Sequence, residues 1–294
     1  MKQITTAIIG ANGYIGKNLS YLLCEKSINN FDFDISDNTE NSWMKYSKLD
    51  VTSKEDFNKI NEDIDIIFFM AGITGTADGF DSYEKYYNIN VLGLINLLNF
   101  IKNKEKKPKI IFPSTRLVYG GNEELLSEND EKHPKTTYAL TKLVCEETLK
   151  IYNDIFNINY DVLRICVPYG NLVDEDYSYG TLGFFITKAE KKEPITLYGD
   201  GMLRRTFTDI KDICNIFIST AQKDSLSNSI YNIGGKSYSL LDVAQKVALK
   251  YNSKIQFVDW PKMAEKIESG HTVFNSKKLD DYLNFIEYKK IQLK

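Results

Sequence analysis

Tyr138 and Lys142 form a combination of side chains that can move a proton. They stand four residues apart in a segment with helical periodicity, so both are expected to face the same way. A tyrosine phenol has a pKa near 10, about three units above neutral pH, and a neighbouring ammonium group lowers that pKa by favouring the phenolate. The pair therefore predicts a general acid and base that acts on a hydroxyl or a ketone.

Two hydroxyl side chains, Ser114 and Thr115, follow a short apolar strand predicted over Lys109–Phe112. Open α/β sheets bind their ligands at the carboxyl ends of parallel strands. A hydroxyl at that place can hydrogen-bond the same substrate oxygen as Tyr138. Both residues are therefore predicted to bind substrate, and Thr115 to take part in catalysis. Considered alone, Thr115 is equally well interpreted as a helix cap or a turn residue.

A glycine-rich loop near the start of the chain predicts a dinucleotide site. It follows an apolar strand over Ile4–Ile9 and opens a helix with apolar periodicity. Gly10 permits a tight turn, Gly13 lets the backbone approach a pyrophosphate, and Gly16 lets the helix pack closely on the strand. Free N–H groups at the helix start then face the anion. The predicted cofactor contacts in this loop are Gly10, Asn12, Gly13, Tyr14, Ile15 and Gly16.

An acidic residue at the end of the second predicted strand, Phe31–Ile35, indicates which dinucleotide binds. The carboxylate of Asp34 can accept hydrogen bonds from both ribose hydroxyls of NAD, and it would repel the 2′-phosphate of NADP. Asp32 and Asp37 lie close enough to compete for this assignment. Asp50 is a candidate for binding the adenine amino group. Lys142 is a candidate for binding the nicotinamide ribose.

Strands alternate with helices through the first half of the chain, which implies parallel pairing through right-handed crossovers. The sequence therefore predicts an α/β fold with a Rossmann-type doubly wound parallel sheet. After Pro168 the pattern becomes irregular and predicts a smaller C-terminal α/β substrate lobe. The predicted NAD-binding domain is 1–166, joined by 206–234, and the sugar-nucleotide lobe is 167–205 with 235–294. Other predicted elements are strands at Ile64–Met70 and Tyr160–Ile165 and helices at Tyr83–Lys102 and Thr136–Phe156.

Composition disfavours several other classes of protein. A net charge of −3 provides no positive field for nucleic acid. The four cysteines lie far apart and there are two histidines, so we expect no metal site and free thiols in a reducing compartment. No signal-peptide pattern and no run of about 18 apolar residues is present. We therefore expect a cytoplasmic protein without a membrane partner.

Taken together, the motifs resemble those of the extended short-chain dehydrogenase/reductase family, in its branch of nucleotide-sugar epimerases and dehydratases. The similarity extends over nearly the whole chain. The segments that carry it are Gly10–Gly16, Asn90–Leu98, Pro113–Gly120, Tyr138–Lys142, Arg164–Gly170, Tyr198–Phe207 and Tyr231–Gly234.

The resemblance implies specific roles for several residues. Thr115 would be the catalytic hydroxyl, Tyr138 the base and Lys142 its partner. Arg205 would contact the nucleotide diphosphate, for which a planar guanidinium is chemically apt. Ala71, Gly72 and Asn90 are predicted to contact the cofactor. Relatives often form homodimers through two helices per subunit, here Tyr83–Lys102 and Thr136–Phe156.

Departures from the family pattern narrow the predicted reaction. Family 4,6-dehydratases carry an Asp-Glu pair directly after the catalytic Thr, where this chain has Arg116 and Leu117, so dehydration is not expected. Decarboxylating relatives carry Glu at the position of Leu117. Many relatives have Asn where Val167 stands and Asp where Thr206 stands, so we expect the substrate to be held differently.

The preferred interpretation is an NAD-dependent nucleotide-sugar epimerase that acts at C4 through a 4-keto intermediate. One alternative is a 4-ketoreductase that consumes NAD(P)H to make a deoxysugar nucleotide. Another, of a different class, is a non-catalytic NAD-binding regulatory or scaffold protein on the same fold. The presence of both Tyr138 and Lys142 argues against the last interpretation.

Overall fold

A computed structural model of the chain describes residues 4–60, 63–173, 179–223, 228–284 and 286–293. Within these residues the strands are β1 (Thr5–Ile9), β2 (Asn29–Asp34), β3 (Tyr46–Lys48), β4 (Ile66–Phe69), β5 (Lys109–Thr115), β6 (Tyr160–Ile165), β7 (Val167–Tyr169), β8 (Ile195–Tyr198), β9 (Arg204–Asp209), β10 (Ser229–Asn232), β11 (Lys236–Ser239) and β12 (Ile255–Val258). The α-helices are α1 (Tyr14–Glu25), α2 (Tyr83–Tyr86), α3 (Gly93–Ile101), α4 (Thr137–Phe156), α5 (Gly180–Glu190), α6 (Ile210–Gln222), α7 (Leu240–Tyr251), α8 (Lys262–Ile267) and α9 (Lys277–Leu283).

The larger sheet has seven parallel strands in the order β10-β6-β5-β4-β1-β2-β3. This sheet is covered on both faces, because all four residues of its central strand β4 are buried. Ile67 and Phe69 pack into the core that includes α3 and α4, whereas Ile66 and Phe68 pack into the core that includes α1 and α6. A strand buried on both faces is typical of doubly wound α/β proteins.

Two smaller sheets follow in the C-terminal part of the chain. One has the order β11-β9-β7 and the other pairs β12 with β8. A third apolar core joins them to α5 and α7 and includes Phe185, Phe207 and Val247. The predicted fold class, a doubly wound parallel sheet with a smaller C-terminal α/β part, is confirmed. Among the described helices, none is long and apolar enough to cross a membrane.

The predicted domain limits remain a prediction. Within the segment 206–234, β10 joins the larger sheet beside β6, and α6 contacts α1 on one face of that sheet. Strand β9, which begins at Arg204, belongs instead to the three-stranded sheet. The chain therefore crosses between the two sheets within this segment.

The predicted helix Tyr83–Lys102 is confirmed as a helical stretch over Tyr83–Ile101, but it changes type in the middle. A π turn over Tyr87–Leu92 stands between α2 and α3. Such turns add a residue to the helix and often occur at functional sites. Here the turn contains Asn90, whose buried side chain bonds to Ile73 and to Thr141 of α4. Apolar periodicity cannot reveal this interruption, because the residues on both sides of the turn are still helical.

Candidate active site

The end of β5 and the first turn of α4 bring the two predicted catalytic hydroxyls together. Strand β5 runs on to Thr115, beyond the predicted end at Phe112. Helix α4 begins after Thr136, whose side chain accepts a hydrogen bond from the Ala139 N–H at 3.1 Å. The Thr115 side chain lies near the Tyr138 hydroxyl, close enough to favour its charged form. Thr115 also accepts from the Leu117 N–H, so it is both a turn residue and a neighbour of the base.

Lys142 lies one turn beyond Tyr138 and is only 5% exposed. Its Nζ donates to the carbonyl oxygen of Pro113 at 2.9 Å and stands 4.4 Å from the centre of the Phe112 ring. Burial lowers the pKa of Lys142 to about 8 from its usual 10.5. The Lys142 ammonium group is therefore held in a largely apolar environment. Because water is excluded there, it would be a strong hydrogen-bond donor to a ligand hydroxyl.

Burial also governs the pKa of Tyr138, and it acts in the opposite direction from the sequence prediction. Loss of solvent raises this pKa above its usual 10, and the side-chain contribution that lowers it comes from Thr115. The sequence predicts that Lys142 lowers the pKa of Tyr138. In this structure the ammonium is instead directed to Pro113, so the phenol is protonated at neutral pH.

We expect Lys142→Met to stabilise the cofactor-free protein while removing its activity. The pKa shift of Lys142 from 10.5 to about 8 corresponds to about 3 kcal/mol, and the lost bond to Pro113 offsets part of it, leaving a gain of about 1–3 kcal/mol. The penalty is fully present below pH 8, because there the folded protein must hold a buried charge. It disappears as pH rises towards 10.5, where the unfolded chain also loses the proton.

Urea unfolding at pH 7 and at pH 10 measures this effect. The difference in the free energy of unfolding between wild type and Lys142→Met should be smaller at pH 10 than at pH 7. Lys150→Met, on an exposed part of the same helix, serves as the matched control and should show no such pH dependence. A Lys142→Met protein that is less stable than wild type at pH 7 would contradict the prediction.

The Ser114 side chain contacts α4 one turn beyond Lys142. Both Ser114 and Thr115 belong to β5. The Ser114 hydroxyl donates to Glu146 of α4 at 2.5 Å, in a fully buried position. Glu146 also accepts from both Nε and Nη2 of Arg164. The predicted contact between Ser114 and substrate stays a prediction. In this structure the Ser114 hydroxyl already donates its hydrogen bond to Glu146.

The glycine loop has the shape that a pyrophosphate requires. Gly10 has a φ of +95°, and a Cβ at this position would collide with the backbone of Ala71. A Cβ at Gly16 would collide with the carbonyl of Gly10, so the helix can approach the turn only because it is absent. Helix α1 starts at Tyr14 with no side-chain cap and no acidic residue in its first turn. Its N-terminal N–H groups therefore suit an anion.

Asp34 is the carboxylate that reaches the glycine loop. It accepts from the N–H of Asn12 at 2.9 Å and from the N–H of Ile35 at 2.8 Å. Asp32 is buried beside Asn30, and burial raises its pKa to about 6. Asp37 is an exposed partner of Lys48, which lowers its pKa. Of the three neighbouring acids, Asp34 is the one that is hydrogen-bonded to the glycine loop, and its assignment to the ribose stays a prediction.

The remaining predicted cofactor residues surround the same end of the sheet. Gly72 lies close to Lys142, and a Cβ on it would stand 3.0 Å from the Asn90 side chain. Tyr14 donates its hydroxyl to the Gly170 carbonyl at 2.6 Å. Ile15 packs into the core on the α1 face. Asp50 accepts from the backbone and side chain of Thr52, and its assignment to adenine stays a prediction.

Arg205 is buried and is already hydrogen-bonded to other residues through its guanidinium. It is only 2% exposed, and its Nη2 donates to the Glu268 carboxylate at 2.5 Å. Its Nη1 donates to the carbonyl oxygens of Arg204 and Gly270. Burial lowers the pKa of Arg205 to about 10, and nearby Arg116 adds to this effect. Arg205 nevertheless stays charged at neutral pH.

Three residues near the site were missed in the sequence. Glu146 lies four residues after Lys142 on α4, and this spacing could have identified it. Tyr179 stacks on Tyr14 with ring centres 3.9 Å apart and lies near Tyr138, but no local pattern marks it. Glu268 is 63 residues from Arg205 along the chain, so only the fold could reveal their contact.

The site combines a parallel sheet that carries a glycine loop, an acid after the second strand and a Thr/Tyr/Lys group. This combination defines a dinucleotide-dependent enzyme that interconverts hydroxyl and carbonyl groups. Residues 6–234 match the NAD dependent epimerase/dehydratase family, and the chain belongs to that family. NAD is its cofactor, as the sequence predicts.

The relatives of the chain include enzymes of two reaction types. It is 31% identical over 244 residues to a putative UDP-glucose 4-epimerase of Methanocaldococcus jannaschii, covering 79% of this chain and 78% of the relative. It is 29% identical over 264 residues to a dTDP-4-dehydro-6-deoxyglucose reductase of Escherichia coli, covering 84% and 82%. The solved structure of a UDP-N-acetylglucosamine 4-epimerase from Methanobrevibacter ruminantium M1 in complex with UDP-N-acetylmuramic acid is similar, with a TM-score of 0.84, 25% identity and coverage of 97% and 93%.

Proposed function

We propose that the protein is a nucleotide-sugar epimerase that inverts C4 through a 4-keto intermediate. The observation that carries this proposal is the juxtaposition of Thr115 at the end of β5 with Tyr138 in the first turn of α4, with Lys142 one helical turn away and the glycine loop at the same end of the sheet. These groups are suited to moving a proton on and off a sugar hydroxyl next to a bound dinucleotide.

The proposed roles follow from the contacts of each side chain. NAD, when bound, would supply reversible hydride transfer at C4. Tyr138 takes the proton of the C4 hydroxyl and gives it back to the carbonyl oxygen. Thr115 holds that oxygen through a hydrogen bond, and the positive charge of Lys142 one turn away favours the phenolate. Because the hydride and the proton are both returned, the reaction needs no net reductant.

The residues that follow Thr115 support epimerisation over dehydration. Elimination of water needs an additional acid and base beside the sugar. Arg116 and Leu117 stand at the two positions concerned, and neither offers a carboxylate. The guanidinium of Arg116 donates to the hydroxyls of Ser269 and Thr272.

A second candidate is a 4-ketoreductase that makes a deoxysugar nucleotide, favoured by the similarity to the Escherichia coli reductase. It would use the same Thr115, Tyr138 and Lys142 but would consume reduced cofactor. Incubation with UDP-glucose, without added cofactor, tests the proposal: formation of the C4 epimer, detected by chromatography, supports it. Turnover of a CDP- or dTDP-4-keto sugar only with stoichiometric loss of NADH or NADPH would favour the reductase.

A homodimer is part of the proposal. Helix α4 exposes Ile151 and Ile155, and Leu92 is exposed at the end of the π turn. Exposed apolar side chains on neighbouring helices are typical of a surface covered by another subunit. The predicted pairing of the α3 region and α4 with their copies would cover them.

We expect Asp34→Asn to weaken NAD binding at least tenfold and to reduce the preference for NAD over NADP. The carboxylate accepts strong charge-assisted hydrogen bonds, and each of these contributes about 1.5–3 kcal/mol. Removing its charge also removes the repulsion of a 2′-phosphate. Titration with NADH and NADPH, followed by fluorescence, measures both effects. Asp37→Asn, in an exposed ion pair three residues away, is the control and should leave both affinities within about twofold. Equal losses in the two variants would count against the assignment of Asp34.

A further inference from the structure

Residues 268–272 form a segment, here called the strap, that lies along the start of β9. Thr272 pairs with Arg205 as an isolated bridge, donating its N–H to the Arg204 carbonyl at 3.0 Å and accepting from the Thr206 N–H at 3.2 Å. The first residue of the strap is tied by Lys135, whose Nζ donates to the Glu268 carbonyl at 2.6 Å. The strap therefore lies between the β9 arginine and the segment that leads into α4.

Three charged side chains meet at the strap. Arg116, next to the catalytic Thr115, donates to the Ser269 hydroxyl at 2.8 Å. Arg205 reaches the strap from β9, close enough to Arg116 for the two charges to repel. Glu268 is the acid that offsets them, and its Oε1 accepts both from Arg205 Nη2 and from the Gly270 N–H. These three side chains carry a net charge of about +1 while Glu268 is in place, and the Lys135 ammonium at the Glu268 carbonyl adds another positive charge.

The Glu268 carboxylate uses a guanidinium N–H that a phosphate oxygen would need. Two anions cannot share one donor without repelling each other, and like charges about 4 Å apart repel appreciably where water is partly excluded. Arg205 is almost completely buried, whereas Glu268 keeps about a quarter of its side chain exposed. Glu268 can therefore move into solvent more easily than Arg205 can.

We propose that Glu268 is an internal anion that competes with the diphosphate of the substrate for Arg205, and so weakens nucleotide binding and speeds product release. This inference rests on the proposed function and on the role in diphosphate binding that the family resemblance implies for Arg205. It assigns to the strap a role in setting affinity, separate from the proton transfer carried out by Thr115 and Tyr138.

Binding of UDP, dTDP, CDP and GDP to the NAD-loaded protein by calorimetry tests the proposal. Glu268→Gln removes the charge but keeps an acceptor for Arg205 and Gly270. We expect it to bind the preferred nucleoside diphosphate about tenfold more tightly than wild type, and to lower KM more than it changes kcat. Glu268→Asp keeps the charge and should remain within about threefold of wild type. Glu268→Ala, which removes the carboxylate altogether, gives the same comparison if the Gln protein does not fold.

Glu265→Gln is the matched control, because it removes an exposed carboxylate three residues earlier and should behave as wild type. Weaker or unchanged binding by both the Gln and the Ala variants overturns the proposal, since the carboxylate would then be orienting Arg205. A gain of equal size in the Asp variant also overturns it. A third outcome is that Arg205→Met abolishes nucleotide binding while Glu268→Gln does not improve it. This outcome would overturn the present inference but leave the proposed function standing. If neither wild type nor any Glu268 variant binds a nucleoside diphosphate, the proposed function itself fails.

Discussion

Replacement of Tyr138 by phenylalanine is expected to lower kcat about a thousandfold while NAD still binds. Removal of a positioned general acid and base costs about 10²–10⁴ in rate. The phenol hydroxyl lies near Thr115 at the end of β5, where the substrate oxygen is proposed to lie. Phenylalanine keeps the ring and its packing but has no proton to exchange, so the loss should appear in kcat and much less in KM.

The measurement is single-substrate turnover together with a titration of NADH. Tyr152→Phe provides the matched control, since this tyrosine lies on the same helix and bonds to Asn99 at 3.1 Å, away from the site. Its turnover should stay within about twofold of wild type. Unchanged turnover in Tyr138→Phe would remove the proton-transfer role on which the proposed mechanism depends.

The sequence predicted the neighbours of Tyr138 well because local rules fix them. Four-residue spacing on a helix sets Lys142, and the carboxyl end of a parallel strand sets Thr115. Ser114 shows the limit of this reasoning. The end of a strand predicts a place near the site for its hydroxyl, but its hydrogen bond to Glu146 joins residues 32 apart along the chain, so only the fold could reveal it.

Contacts between distant segments could not be predicted. The family resemblance implies that Arg205 contacts a diphosphate, but it does not reveal that the nearest acid to Arg205 lies on the strap, 63 residues further along the chain. The same holds for the direction of the Tyr138 pKa shift. A sequence shows that a lysine is near a tyrosine, but not that the lysine is buried and donates to Pro113. Burial is a property of the whole fold, and here it has the larger effect on both pKa values.

Arg164→Met is expected to destabilise the protein by about 3–5 kcal/mol, a large part of the total stability of a typical domain. Arg164 and Glu146 are 1% and 0% exposed and form a direct ion pair beneath the active-site edge of the sheet. Arg164 also donates to the Tyr119 hydroxyl at 2.6 Å, and Ser114 donates to Glu146. Without the arginine, a buried carboxylate keeps a single hydroxyl donor, which cannot offset the cost of leaving water.

The measurement is urea unfolding of the two single variants and of the double variant Glu146→Leu/Arg164→Met. It compares the stability lost when one charge is left without its partner with the stability lost when both charges are removed. Replacing both charges by apolar groups removes the uncompensated charge, so the double variant should be more stable than Arg164→Met alone. Glu147→Gln is the control on the same helix. It removes the partner of Lys150 in an ion pair whose side chains are 42% and 55% exposed, and it should cost less than about 1 kcal/mol. A double variant as unstable as the sum of its two single changes would mean that the network acts through packing and not through its charges.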